Sequence, residues 1–380
     1  MNIRLFYHSL VSDWNHGNAH FLRGITAELL ARGHDVKVYE PANGWSRESL
    51  LAEHGTEPLE KFAAAYPTLV STLYDPATLD LEDALGDADL VIVHEWNDHD
   101  LVARIGALRR RFVLLFHDTH HRLVSDPEAM RGYNLTGYDG VLAFGAVLRD
   151  LYLQSGLTPR AWTWHEAADV RQFHPLPHIV PPRDLIWIGN WGDDERSEEL
   201  HEFLIEPVRA LGLSATVFGV RYPEIAKQAL RLAGISYHGW LPNFDVPKIF
   251  ANHRVTIHVP RRPYVLSLPG ISTIRPFEAM ACAIPLICAP WNDAENLFTP
   301  GRDYLTASGG AAMREHLASL LDSPQQRAEQ AAHGLATIHA RHTCAARVDE
   351  LLAVHAELTR SSEMQRSKAP GVRGLTRLPS

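Results

Sequence analysis

The chain has 380 residues, more than one small core can organise, and that length sets a prior of two domains. Its formal net charge of −9, from 36 basic and 45 acidic side chains, argues against nucleic acid as the main partner, since duplex binding calls for a basic surface. Cys282, Cys288 and Cys344 form no CxxC pair, which disfavours a disulfide scaffold and a zinc ribbon and favours a reducing compartment.

The opening "MNIRLFYHSLVSDWN" lacks the apolar run of a signal peptide, and no window reaches the length of a membrane span. A cytoplasmic protein with at most peripheral membrane contact is expected. "NIRLFYHS" reads as a strand, "AHFLRGITAELLARGH" as a helix and "DVKVYEP" as the next strand. "DLVIVHEW", a helix through "DLVARIGALRRR", "RFVLLFHD", "DGVLAFG" and "RAWTWHEA" continue the alternation, which specifies βαβ units and a mostly parallel sheet. Four prolines in "DVRQFHPLPHIVPPRD", residues 169–184, break the pattern and mark a linker. Alternation then restarts with "DLIWIGN", "SATVFGV", "ISYHGW", "RVTIHVP", "IPLICAP" and "DYLTA". The expected division is a Rossmann-like domain over 1–170, a second over 171–340, a helix over 341–360 packing at their junction, and a disordered polar tail over 361–380.

Such sheets bind ligands in the crevice outside the carboxyl ends of their strands. After the first strand, Asp13, His16, Gly17, Asn18 and His20 crowd one loop. Gly17 lets backbone approach a ligand at a helix N-terminus, though the stretch reads equally as a capped turn. His94 and Glu95 end one strand, and His117 and Asp118 end another, with His120 and His121 close behind. A carboxylate beside a histidine suits orientation of a substrate hydroxyl or general base work. The H-D-x-H-H spacing matches no metal motif, so no metal is expected. In the second half, Gly189 and Asn190 precede Arg196 near a helix start, an arrangement that favours an anion unless Arg196 pairs with Glu199 or Asp193.

"PGISTIRPFEAMACAIPLICAP" carries the sharpest signal. Ser272 or Thr273 begins a helix with Pro276 in its first turn, and the free N–H groups from Thr273 through Ile274 to Arg275 suit a diphosphate. Glu278 lies deeper, where an unpaired carboxylate would be costly, and vicinal ribose hydroxyls would satisfy it. An ordinary acid near a helix N-terminus reads as well from this stretch alone. Arg261 follows a strand end, and Trp240 falls either near a base or in packing. The dinucleotide fingerprint GxGxxG is absent, which disfavours a nicotinamide oxidoreductase.

Together these segments resemble glycosyltransferases of the GT-B architecture, particularly the retaining "group 1" (GT4-like) class and a bacterial branch related to the spore maturation protein CgeB. "TIRPFEAMACAIPLICAPWNDAENLFTPGRDYLTA" is similar to that class's donor-binding segment, and "GHDVKVYEP", "VIVHEW" and "ADVRQFHPLP" match weaker landmarks. The resemblance implies two Rossmann-like domains across a cleft, with the nucleotide sugar on the C-terminal one and the acceptor on the N-terminal one. It puts the second glutamate of an E-x7-E pair on Glu278 and the first on Gly270, where no carboxylate remains. Its Arg-x5-Lys diphosphate pair falls on Asn190 and Arg196, and its usual glycine after "EAMAC" is Ala283. His117 falls near a histidine beside the transferred sugar.

The activity implied is metal-independent, retaining transfer from a nucleoside-diphosphate sugar (UDP, GDP or dTDP linked) to an unidentified acceptor, with no cofactor. Arg196, Arg275 and the helix tip would assist nucleotide departure. The loop from Asp13 to His20, with His94, Glu95, His117 and Asp118, would orient sugar and acceptor. A sugar-nucleotide epimerase or a non-catalytic binder of the same fold is the alternative.

Overall fold

A computed structural model describes residues 1–178, 180 and 182–368. Its first sheet comprises β1 (Asn2–Phe6), β2 (Asp35–Pro41), β3 (Ser71–Tyr74), β4 (Leu90–His94), β5 (Val113–Asp118), β6 (Gly140–Ala143) and β7 (Ala161–Thr163). They pair in parallel in the order β3-β2-β1-β4-β5-β6-β7. A second parallel sheet, ordered β10-β9-β8-β11-β12-β13, comprises β8 (Arg183–Ile188), β9 (Ala215–Phe218), β10 (Ser236–Tyr237), β11 (His253–His258), β12 (Leu286–Cys288) and β13 (Leu305–Thr306).

The central strands form because both faces are covered by helices, which demands continuous apolar runs rather than alternation. Leu90 to Val93 in β4 are all fully buried. Strand β3 has no such run, since Ser71, Thr72 and Leu73 are all partly or fully exposed. It forms as an edge, paired through Val38↔Ser71 to Pro41↔Tyr74. Such a strand carries no periodic signal, so it was not expected from the sequence.

In each sheet the strand order reverses where β1 lies beside β4 and β8 beside β11. The loops leaving those strands therefore diverge and open a crevice. The helices Gly310–Asp322 and Pro324–Arg341 cover the second sheet, burying Met313, Leu317 and Ile338. The last helix, Cys344–Lys368, returns to the first domain: Cys344, Val348 and Leu351 share a core with Phe21, Leu22 and Ile25. This helix runs eight residues into the segment 361–380, whose composition implied disorder. Extending a helix already anchored by packing is far easier than nucleating one, so composition alone undercounts order there. Residues 369–380 of that segment lie outside the described residues, as do 179 and 181 of the expected linker.

Candidate functional site

A cleft of about 630 Å³ lies between the two sheets, lined by loops that follow the carboxyl ends of strands in both. Asp13, His16, Gly17 and Asn18 come from the loop after β1, and Gly189, Asn190 and Arg196 from the loop after β8. Trp240 follows β10, Arg261 follows β11, and Thr273, Ile274 and Arg275 form the tip of the helix Ile274–Ala281. The other sequence-derived residues lie behind these walls. His20, His94, Glu95, His117, Asp118, Ser272 and Glu278 are buried and do not line the cleft.

The helix tip takes Thr273 as its N-cap residue, with extended backbone and no side-chain cap bond. Its hydroxyl instead meets His258 Nε2 at 3.2 Å. The cap is therefore left to backbone N–H groups that have no intrahelical acceptor, beside the cleft. Arg275 lines the cleft and ion-pairs with Glu278 one turn below. Glu278 is fully buried, and its Oε1 accepts from Asn243 Nδ2 at 2.6 Å and lies 3.1 Å from His20 Nδ1. His20 Nε2 accepts from the Asp169 N–H at 2.9 Å, which puts the imidazole proton on Nδ1, facing Glu278. Burial pushes the Glu278 carboxyl up, but Arg275, His20 and Asn243 outweigh it and hold it below its ordinary value of 4.5. The acid expected to meet a ribose thus has protein partners on both oxygens.

Arg196 does not pair with Glu199, which instead holds Arg262 at 2.7 Å. It turns into the cleft, where Nη1 donates to the Val259 carbonyl at 3.0 Å and Nη2 to Asn190 Oδ1 at 2.6 Å. Gly192 permits this. Its φ of +95° suits glycine, and a Cβ there would lie 2.7 Å from Arg196 Cγ. Burial, then the neighbouring Arg261, pushes the Arg196 guanidinium down to about 9. Asn190 Oδ1 also accepts from Arg261 Nη2 at 3.1 Å, so this neutral side chain gathers two guanidiniums. Arg261 is shared with Glu195, 2.6 Å away. An anion arriving here would relieve repulsion among Arg196, Arg261 and Arg275.

Gly270, on which the resemblance put the first glutamate of the E-x7-E pair, has a φ of +90°. A Cβ on it would lie 2.9 Å from Glu295 Oε1, so the carboxylate of Glu295 fills the space beside it. That carboxylate is committed, accepting from the Ala146 N–H at 2.8 Å and facing His165 Nε2 at 2.9 Å.

Behind the N-terminal wall, burial pushes His117 down to about 3, and its Nδ1 lies 2.6 Å from the Tyr7 hydroxyl. Asp118, pushed up to about 6 by burial, accepts from Tyr152 at 2.8 Å and from the His120 N–H at 2.9 Å. His94 meets Thr119 Oγ1 at 2.9 Å, and Glu95 is ion-paired with Arg122. Among the described residues, no cluster of histidine, cysteine and carboxylate side chains is arranged to hold a metal ion. Asp13 bridges the domains instead of standing free. Trp240 Nε1 donates to its Oδ1 at 2.9 Å, the Asn243 N–H donates to its Oδ2 at 3.0 Å, and Arg23 pairs with it at 2.8 Å.

Two groups of cleft residues escaped the sequence reading. Trp14, Trp45 and Trp96 line the N-terminal wall, and Glu166 lies beyond β7 with Oε1 accepting from Asn18 Nδ2 at 3.2 Å. Each falls just after a strand, and that position was the available signal. Trp96 directly follows Glu95 in "VIVHEW", and Glu166 sits within "RAWTWHEA".

Known proteins are similar to this chain in fold. A family model described as "Glycosyl transferase-like" matches residues 196–353. Sucrose-phosphate synthase from Thermosynechococcus elongatus superposes with a TM-score of 0.65 at 13% identity, covering 95% of this chain and 99% of that one. Anabaena HepE, solved with UDP and glucose, gives 0.65 at 14% identity over 94% of this chain and all (100%) of that one. T4 phage BGT, solved with its UDP-glucose substrate, gives 0.57 at 13% over 96% and 99%. None of the curated proteins matches the chain. The fold is that of the GT-B glycosyltransferases: two parallel α/β domains with a cleft between the carboxyl ends of their sheets. No helix among the described residues is long and apolar enough to cross a membrane.

Proposed function

We propose that the chain transfers a sugar from a nucleoside-diphosphate sugar to an acceptor held against its N-terminal domain. The observation that carries this reading is the grouping of Arg196, Arg261 and Arg275 around the tip of the helix Ile274–Ala281, with Glu278 buried beneath. Diphosphate would lie at the Thr273–Arg275 backbone, which combines unpaired N–H groups with formal positive charge. As the diphosphate leaves, Arg196, already held by Val259 and Asn190, stabilises the growing charge without reorganising, the usual source of the largest catalytic term. When Arg275 turns to the phosphates it frees Glu278 Oε2 for a ribose hydroxyl. Gly17, Asn18, Gly189 and Trp240 complete the donor walls, with His16 and Asp13 on the acceptor side. His20, His94, Glu95, His117, Asp118 and Ser272, being buried, act by positioning these walls. UDP-bound neighbours of the same fold support a nucleotide-linked donor, and resemblance to the group 1 and CgeB-related branches supports retained configuration, metal independence and a hexosyl group.

Gly270 favours a second reading, a sugar-nucleotide epimerase or silent binder, because the carboxylate that would meet the sugar is absent. Incubation with a panel of UDP-, GDP- and dTDP-sugars decides. Transfer releases nucleoside diphosphate, epimerisation leaves it attached to a changed sugar, and a silent binder does neither.

A further inference from the structure

The cleft is electrostatically two-sided. The arginines lining it, Arg196, Arg221, Arg261 and Arg275, all come from the C-terminal domain, which also contributes Asp193 and Glu195 as partners of Arg221 and Arg261. The N-terminal wall contributes the acids Asp13 and Glu166 and the histidines His16, His120 and His121, which burial holds below the usual imidazole range and therefore neutral. Arg122 lies behind that wall, 4.2 Å from the Trp96 ring centroid, and is committed to Glu95.

Between these groups stands a tier of indoles. The Trp45 ring centroid lies 5.9 Å from Trp96 and 6.2 Å from Trp14, both edge-on, and His8 stacks behind Trp45 at 4.4 Å. Trp14 Nε1 donates to Glu53 at 2.9 Å, so the polar edge of that ring is already satisfied. All three rings are only half-buried and open to the cleft. Burying a tryptophan removes roughly 150–250 Å² from water. Leaving part of three such rings open together withholds part of that gain until a ligand covers the remaining surface.

We infer that Trp14, Trp45 and Trp96 form the acceptor platform and that the acceptor is a neutral saccharide. This rests on the glycosyltransferase reading. The C–H face of a pyranose is apolar and slightly positive and stacks on the negative face of an indole, while its rim of hydroxyls meets Asn18 Oδ1 and Glu166 Oε2, buried polar atoms with no hydrogen-bond partner in the protein. A nucleic acid or an anionic lipid would stack or insert too, but its phosphates would find an Asp13 already paired with Arg23, a Glu166 carboxyl that burial keeps protonated, and neutral imidazoles, with no arginine or lysine among the described residues lining this wall.

The test is retention of the fluorescently labelled full chain, in the presence of UDP, on an array of neutral glycans. A single-stranded DNA oligonucleotide and vesicles containing phosphatidylglycerol serve as anionic comparators. Binding of at least one neutral glycan, weakened tenfold or more in Trp45→Ala and Trp96→Ala and largely restored in Trp45→Tyr, is expected. UDP affinity, measured in parallel, should stay within twofold in each variant, which also certifies the fold. Retention of no glycan, retention only by DNA or vesicles, or glycan binding indifferent to all three variants overturns the assignment. Loss of UDP binding by the unaltered chain would instead count against the donor reading, so the two failures are distinguishable.

Discussion

Arg275 and Glu278 are one helical turn apart, and the arginine faces the cleft while ion-paired to a carboxylate that is itself fully buried. Removing one partner of a buried pair strands the other, at a typical cost of 3–5 kcal/mol. Arg275→Ala is expected to lose about 3 kcal/mol of stability in urea unfolding, since Asn243 and His20 still satisfy Glu278 Oε1. Because the folded Glu278 carboxyl is held below 4.5, its contribution is complete above that pH and is lost as pH falls through the lower folded value. The Arg275→Ala protein should therefore lose less stability than wild type on acidification, and a parallel loss in both would contradict the pairing.

Arg196 is held by Val259 and Asn190 so that its charge is in place before any ligand arrives. Groups prearranged for charge that develops in the transition state act mainly on kcat. Arg196→Gln is expected to lower kcat by about 10²-fold with a smaller change in donor KM, the scale seen when one preorganised donor is removed. Steady-state kinetics on the donor found by the panel would check this, and an effect confined to KM would go against it.

Glu166 is almost fully buried in the cleft, with Asn18 on Oε1 and no hydrogen-bond partner at Oε2. Burial pushes its carboxyl up to about 8 from an ordinary 4.5. Between those values the unfolded chain has released the proton and the folded chain retains it, so the unfolded state binds fewer protons and stability falls as pH rises. Glu166→Gln keeps the shape without the titration. Its stability advantage over wild type should grow from pH 5 to pH 8 in chemical denaturation, and an unchanging difference would refute the assignment.

Ala283 closes the helix Ile274–Ala281 with a φ of +54°, the left-handed conformation the sequence comparison implied for a position usually glycine. That strain costs an L-residue roughly 1–2 kcal/mol. Glycine would relieve it while adding about 0.4–1 kcal/mol of unfolded-state freedom. Ala283→Gly should therefore be more stable by about 0.5–1 kcal/mol. A destabilised variant would show the methyl contributing more packing than strain.

Much of the architecture could be read from the chain because parallel strands covered on both faces leave unbroken apolar runs, as in "LVIV" of β4. Edge strand β3 left none and went unseen. Arg275 and Arg196 could be placed at the cleft because each sits at a helix start following a strand. What the sequence could not reveal is which way a side chain faces. Glu278 and His117 lie close in sequence to the cleft yet are buried behind its walls, whereas Trp45 and Glu166, far apart along the chain, both line the N-terminal wall. Such convergence depends on how the first sheet orders its strands, with Trp45 after β2 and Glu166 after β7, which no local pattern encodes.

Donor recognition by the helix tip and Glu278 is the claim on which the rest depends, and calorimetric titration tests it directly. UDP, GDP and dTDP titrated into wild type and Glu278→Ala should give saturable binding of at least one nucleotide to wild type. The variant should bind that nucleotide about 10- to 100-fold more weakly, the worth of a hydrogen bond from a ribose hydroxyl to a charged carboxylate. Equal affinity in the two proteins, or no binding of any of the three to wild type, would contradict it.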